Sequence, residues 1–221
     1  MKRLLFARIQ KTGGTSLHKA LATLFPPDRI APHMHDYQIS EAAPEELERY
    51  SFFAGHISPG VIREKVDDIA AVTVLREPVG RLISAYGHWH WYGRNMPDDQ
   101  PEVVRRIGRM SLVEFLADPD LQPCVRNVQH RILHGARFGS TAETRMLVSE
   151  ASAIPTEFLH VGRTDRLQET ADFVAHWLEK PPPTVEWDNR AKMVPAVDNS
   201  TYELLEENTR LDTLSYRGAL V

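Results

Sequence analysis

The sequence predicts an α/β fold in three layers, with a central, mostly parallel sheet flanked by helices. Three observations predict it. Short apolar runs of strand length, at 4–9, 51–56, 69–75 and 158–162, alternate with stretches whose apolar residues recur every three or four positions. The run Ile69-Ala-Ala-Val-Thr-Val-Leu75 is nearly continuous and rich in β-branched residues, which suits a strand buried on both faces. The stretch Lys11-Thr12-Gly13-Gly14-Thr15-Ser16 joins the first strand to the first helix through a glycine turn.

With 221 residues, 42% hydrophobic and 25% charged, the chain is expected to form one domain spanning 1–221 around a sizeable core. A net charge of −4 gives no global basic field, so nucleic acid is not an expected partner and any anion must be held by local cations. Cys124 is the single cysteine, which excludes an intramolecular disulfide and a cysteine metal cluster. No segment approaches the ~18 apolar residues of a membrane span. Met1-Lys2-Arg3-Leu4 opens like a signal peptide, but the apolar run ends at Arg8 without a small-residue cleavage site. The expectation is a soluble, cytoplasmic protein.

Leu4 to Ile9 reads as the first strand, and Leu17, Ala20, Leu21 and Leu24 as the apolar face of the helix after it. In the turn between them, glycines let the backbone come close to a ligand, and the unpaired N–H groups of a helix start point toward it. Thr15 and Ser16 are placed to cap the helix or to donate to phosphate oxygens, and Lys11 adds a full charge. The order differs from the Walker pattern, in which lysine follows the glycines. On these six residues alone, an anion cradle and an ordinary strand-to-helix turn both fit.

Pro26-Pro27 ends the first helix, and 28–50 reads as polar loop. Within it His33, His35 and Asp36 form a metal-type cluster, but no partner at helical spacing supports a metal, and a loop is the expected reading. A second strand ends at Gly55-His56, and the third runs into Arg76-Glu77-Pro78, where proline suits a first helical turn. Val79, Leu82, Ile83 and Tyr86 continue that helix, and a dense aromatic and histidine segment follows from Tyr86 to Tyr92. Asn95 to Gly108 reads as loop with some helix, and Ser111 caps a short helix through Leu116. Helices are expected over 127–133 and 141–149, then a strand over 158–162. Thr164-Asp165 is expected to cap an amphipathic helix from Leu167 to Leu178, which Pro181-Pro182-Pro183 stops. The segment 184–198 reads as loop, basic at Arg190 and Lys192, and 201–216 as one last helix. Ligands of parallel sheets bind at the carboxyl ends of the strands, so Lys11, His56 and Arg76, each just past a strand, are expected on one rim.

Taken together, Ile9-Gln10-Lys11-Thr12-Gly13-Gly14-Thr15-Ser16, Ala54-Gly55-His56 and Leu75-Arg76-Glu77-Pro78-Val79-x-Arg81-x-x-Ser84-x-Tyr86-x-His88 resemble carbohydrate sulfotransferases of the heparan-sulfate 2-O-sulfotransferase type. Asn127-x-Gln129-x-Arg131-x-Leu133, Val161-Gly162-x-Thr164-Asp165-Arg166 and Glu207-Asn208-x-x-Leu211-Asp212-x-Leu214-x-Tyr216 extend the resemblance through nearly the whole chain. Two departures are mild: Gln10 stands where the family usually has proline, and Glu77 where it usually has aspartate. The chain also lacks the N-terminal membrane anchor of the Golgi members, which points to a bacterial-type cytoplasmic enzyme.

The resemblance implies a P-loop-like fold and a PAPS-dependent sulfotransferase. PAPS, 3′-phosphoadenosine 5′-phosphosulfate, donates the sulfuryl group; adenosine 3′,5′-bisphosphate, PAP, is the product, and no metal is required. The implied acceptor is a hydroxyl on a saccharide or glycoconjugate. Lys11, Thr12, Gly13, Gly14, Thr15 and Ser16 would hold the 5′-phosphosulfate, and Arg76 and Ser84 the 3′-phosphate; a hydroxyl bonded back into its own helix is the other reading of Ser84. Thr164 and Arg166 would line the adenine side or simply begin a helix, and Arg190 and Lys192 would close over the donor or remain a solvated loop. Lys11 would neutralise the leaving oxygen, and His56, at the family's Gly-His position, would take the hydroxyl proton. His88 and His90 are the reserve bases. With Trp89, Trp91 and Tyr92 they would contact substrate or else pack. The rival readings are a P-loop-like kinase, which would want a lysine after the glycines and an acidic magnesium ligand, and a non-catalytic nucleotide-binding protein of the same fold.

Overall fold

The computed structural model describes residues 2–139, 155–187 and 193–219. Four strands, β1 (Arg3–Ala7), β2 (Phe52–Gly55), β3 (Ile69–Leu75) and β4 (Phe158–Arg163), form one sheet in the order β2-β1-β3-β4. Every pairing is parallel; Leu4 lies beside Phe52 on one side and Ala70 on the other. The helices are α1 (Gly14–Ala22), α2 (Asp36–Glu41), α3 (Pro44–Leu47), α4 (Pro59–Arg63), α5 (Pro78–Asn95), α6 (Glu102–Ile107), α7 (Leu112–Ala117), α8 (Gln122–Val125), α9 (Val128–Leu133), α10 (Leu167–Trp177), α11 (Asn199–Asn208) and α12 (Arg210–Gly218).

The strands read as continuous apolar runs because both faces are covered. Successive side chains alternate between those faces. Leu4 and Phe6 of β1, with Phe52, Ala54, Val72 and Val74, meet Leu17 and Leu21 of α1 and Leu167, Ala171 and Val174 of α10. Leu5 and Ala7, with Phe53, Ala71 and Leu75, meet Ile39, Leu47, Val61 and Ile62 of α2 to α4, and Val128, Ile132 and Leu133 of α9. A third cluster lies beyond the sheet, where Val79, Leu82 and Tyr86 of α5 pack on Ile107, Phe115, Leu116, Val125 and Leu205.

The structure corrects several expectations. Residues 28–50 are not all loop: they contain α2 and α3. The aromatic segment 86–92 does not follow a helix but lies within α5, which runs unbroken from Pro78 to Asn95 and stops just before Pro97. Gly87, inside it, admits the backbone of Met193; a Cβ there would sit 2.4 Å from the Met193 carbonyl oxygen. The expected last helix is two, because the junction is drawn onto Asn127. The Asn127 N–H donates to Asn208 O at 2.8 Å, and Asn127 Oδ1 accepts from Leu211 N–H at 2.9 Å. The helix expected over 141–149 lies outside the described residues.

Candidate active site

With β2 on one side of β1 and β3 on the other, the chain reverses its direction of winding between β1 and β3. The carboxyl ends of those two strands are where such sheets open a crevice. Lys11 follows β1, His56 follows β2, Arg76 follows β3 and Thr164 follows β4. All four line one cleft of about 820 Å³, with Gly13, Gly14 and Thr15 of the first turn and Ser84, His88, Trp89 and Tyr92 along α5. That volume is in the usual range for small-molecule sites, ~300–1,000 Å³.

The turn after β1 is tight. Lys11 has φ 66° and Gly13 φ 80°, both left-handed; the glycine takes this without strain and the lysine does not. A strained residue at a cleft floor suggests a role for the side chain it carries. Gly13 is also the N-cap of α1, so Thr15 and Ser16 sit inside the first helical turn rather than capping it. Thr15 reaches the cleft, where its hydroxyl accepts from Arg8 Nη2 at 3.3 Å. Thr12 and Ser16 are buried beneath; the Thr12 hydroxyl donates to Ile9 O at 2.9 Å. Thr164 does not cap α10, which begins at Leu167 after a single 3-10 turn. Its hydroxyl is instead within bonding distance of Thr12 O (2.8 Å) and Leu75 O (3.1 Å), tying the β1 turn to the end of β3.

Three cations crowd the cleft. Burial lowers the pKa of Lys11, Arg8 and Arg76, and for Lys11 the positive field of Arg76 adds to burial. Among the described residues, Lys11 has no carboxylate within ion-pair distance, and Arg8 Nε is buried without a hydrogen-bond partner. Mutually repelling, partly desolvated cations around helix N–H groups are a site that an anion stabilises. Arg76 is held at both backbone groups by one side chain: its N–H donates to Gln129 Oε1 at 2.8 Å, and Gln129 Nε2 donates to its carbonyl at 2.9 Å. Arg76 Nη1 also donates to Lys11 O at 3.3 Å. Glu77 caps α5, accepting from the N–H groups of Val79 and Gly80 at 3.0 and 2.6 Å. Ser84 faces the cleft, and among the described residues its hydroxyl makes no bond back into α5.

His56 Nδ1 lies 2.6 Å from Arg8 O. A carbonyl only accepts, so Nδ1 carries the proton and Nε2 is left with its lone pair. Burial pushes the His56 pKa down to about 4, against an opposing pull from that carbonyl bond, so the ring is neutral at pH 7. A neutral imidazole with a fixed tautomer has the form of a general base.

Not every expected residue reaches the cleft. His90 is buried in a stack with Tyr86, and Trp91 packs edge-on to Tyr92 away from it. Arg166 is exposed and pairs with Glu169 at 3.5 Å; Asp165 lines the cleft in its place. Arg190 and Lys192 lie outside the described residues. In the would-be metal cluster, His33 faces Glu46 at 3.3 Å, His35 stacks on Tyr37, and Asp36 binds Ser58, so the three side chains do not converge. Arg8, Trp187, Met193 and Tyr216 line the cleft without having been singled out. Of these Arg8 left a signal, as a lone arginine at the end of an apolar strand, and Tyr216 another, as the last residue of the family-like ending.

A parallel α/β sheet with a cationic cleft over its switch point and a glycine turn at the foot of a helix defines an enzyme-type anion site. The model of the sulfotransferase family matches residues 1–180, and the chain belongs to that family. No curated protein matches the sequence. Among solved structures, a sulfotransferase from Alicyclobacillus acidocaldarius is similar over 98% of this chain and 97% of its own, at 16% identity and a TM-score of 0.51. Mouse sulfotransferase SULT7A1 complexed with PAP is similar over 96% of this chain and 65% of its own, at 9% identity and a TM-score of 0.41. The fold is the P-loop-like one expected from the sequence. Among the described residues, no helix is long and apolar enough to cross a membrane.

Proposed function

We propose that the chain transfers a sulfuryl group from PAPS to an acceptor hydroxyl on a saccharide or glycoconjugate. The observation that carries this is the meeting of Lys11, Arg76, Ser84 and His56, from three strand ends and one helix, in a single cleft. The donor set suits the ligand, whose two anionic groups would meet the partly desolvated cations Lys11 and Arg76. Lys11, Thr15 and the first N–H groups of α1 would hold the 5′-phosphosulfate, and Arg76 with Ser84 the 3′-phosphate. Thr12 and Ser16 would support that turn from beneath. His88, Trp89 and Tyr92 continue the Ser84 side of the cleft, so on this reading their substrate contact is with the donor.

PAPS supplies an activated S–O bond. His56 Nε2 takes the acceptor's proton as its oxygen bonds to sulfur; the bond from sulfur to the bridging oxygen breaks, and its electron pair stays on that oxygen. Lys11 stabilises the charge that builds there, a contribution made in the transition state. Positioning and charge do the rest, as in phosphoryl transfer.

Two measurements test the reading. PAP should raise the melting temperature more than ATP with magnesium, because a ligand of the native state stabilises it. Sulfur-labelled PAPS should pass label to an oligosaccharide or glycolipid pool. Stabilisation by ATP-magnesium and none by PAP would favour a kinase-type site instead.

A further inference from the structure

Beyond His56 lies a second cleft, of about 430 Å³, lined by residues of the 35–41 segment and by Arg137 and Phe138. His56 is the one residue that lines both clefts. We infer that this second cleft binds the acceptor saccharide through a neutral pyranose ring stacked on Tyr37, from which the acceptor leads past His56 to the donor. The inference rests on the sulfotransferase reading and adds to it where the acceptor sits and what holds it.

Three rings run in series from solvent to the base, and a fourth lies beyond it. Tyr37 is 59% exposed and lies parallel to His35, with centroids 5.7 Å apart and planes at 12°. His35 lies 5.6 Å from His56, and His56 lies 5.3 Å from Phe138. The wall is fixed before any ligand arrives. His35 and His56 form a parallel β-bridge, with the His56 N–H donating to Met34 O at 2.7 Å. Both Asp36 carboxylate oxygens are engaged, by Ser58 N–H at 2.7 Å, the Ser58 hydroxyl at 2.8 Å and Phe138 N–H at 3.2 Å. Asp36 therefore braces the cleft and is not its ligand.

The polar groups at the rim argue for the chemistry. Ser40, Glu41 and Arg137 bring a hydroxyl, a carboxylate and a guanidinium around an aromatic wall. The lining sets two carboxylates, Asp36 and Glu41, against the single guanidinium of Arg137, which also pairs with Glu64 at 3.6 Å, so no strong anion is selected. An aromatic face with donors and acceptors at its edge matches a sugar ring, which has an apolar face and hydroxyls around its perimeter. A phenol would use the stacking but leave most of the rim unmatched.

Ligand-observed saturation-transfer NMR, with PAP present, tests this using methyl glycosides of glucose, galactose and N-acetylglucosamine, with 4-nitrophenol as the contrasting probe. At least one glycoside is expected to bind, and Tyr37→Ala to weaken it about three- to tenfold, one aromatic contact's worth. Arg137→Ala is expected to act in the same direction. Tyr37 and Arg137 are exposed, and a normal PAP-induced melting shift in each variant confirms that fold and donor site are intact. The inference is overturned if no glycoside binds, if Tyr37→Ala binds as wild type does, or if only 4-nitrophenol responds to Tyr37→Ala. In every one of those cases, PAP binding and label transfer would still judge the sulfotransferase reading separately.

Discussion

Gln129 offers the sharpest test of how the cleft is held together. Its side chain is fully buried and spends both ends on the backbone of Arg76. In Gln129→Ala, the Arg76 N–H and carbonyl lose those partners. Each unsatisfied buried group costs roughly 1–3 kcal/mol, so a loss of about 2–6 kcal/mol in unfolding free energy is expected. Water entering the space left behind would bring the cost toward the lower figure. The guanidinium of Arg76 would no longer be fixed, so affinity for PAP should fall by about tenfold while affinity for adenosine 5′-phosphate falls less. Calorimetric titration of both nucleotides, with a denaturant melt, reads the two effects separately. A double-mutant cycle with Arg76→Ala then asks whether Gln129 acts through Arg76: once Arg76 is gone, Gln129→Ala should cost little further PAP affinity. Full PAP affinity in a destabilised Gln129→Ala would refute the positioning role.

Lys11→Ala should lower kcat by about a hundredfold or more with a smaller effect on PAP binding, as for a group acting on the leaving oxygen; unchanged kcat at saturating donor would reduce it to a binding residue. Arg76→Ala should weaken PAP by about 1.5–3 kcal/mol and spare adenosine 5′-phosphate, with equal losses for both nucleotides counting against 3′-phosphate recognition. His56→Asn should cost roughly 10²–10⁴ in rate and leave PAP binding alone. With the His56 pKa near 4, the base is unprotonated at neutral pH, so the rate should be flat from about pH 6 to 8 and fall only toward pH 4; a limb near 6.5 would contradict the buried, neutral ring. Stability carries a related signature. The pKa of His56 is depressed on folding, so the unfolded chain binds the extra proton, and stability is lost as pH falls below about 6.5, by up to about 3 kcal/mol. His130, also pushed to about 4, acts in the same sense, and Asp212, raised by burial to about 6, opposes them. His56→Asn should flatten part of that acid slope in urea melts.

The fold was legible because its signals are local. Each strand is a short apolar run, and an alternation of two faces follows from the period of a strand. The strand–turn–helix at 3–22 needs only neighbours in sequence to be read. What misled the reading was tertiary. The polar stretch 28–50 lacks a helical period long enough to notice, yet α2 forms because Asp36 is pinned to Ser58 and Phe138. The single helix expected over 201–216 breaks because Asn127, some 80 residues earlier, takes hydrogen bonds at its junction.

The site divides along the same line. Residues just past strand ends were placed correctly, because a parallel sheet brings all its carboxyl ends to one rim whatever the strand order. The aromatic run along α5 was harder. A helix turns about 100° per residue, so five adjacent side chains cannot share one cleft: His88, Trp89 and Tyr92 reach it, and His90 and Trp91 do not. The chemistry of His56 was beyond any local reading. A histidine in a sequence titrates near 6.5 and has two interchangeable nitrogens. Only the pairing of β1 with β2 places the Arg8 carbonyl against Nδ1, and only the surrounding burial carries the pKa to about 4. The sequence therefore proposes His56 as the base, while its tautomer, its charge and the two clefts it divides arise from contacts between segments distant in the chain.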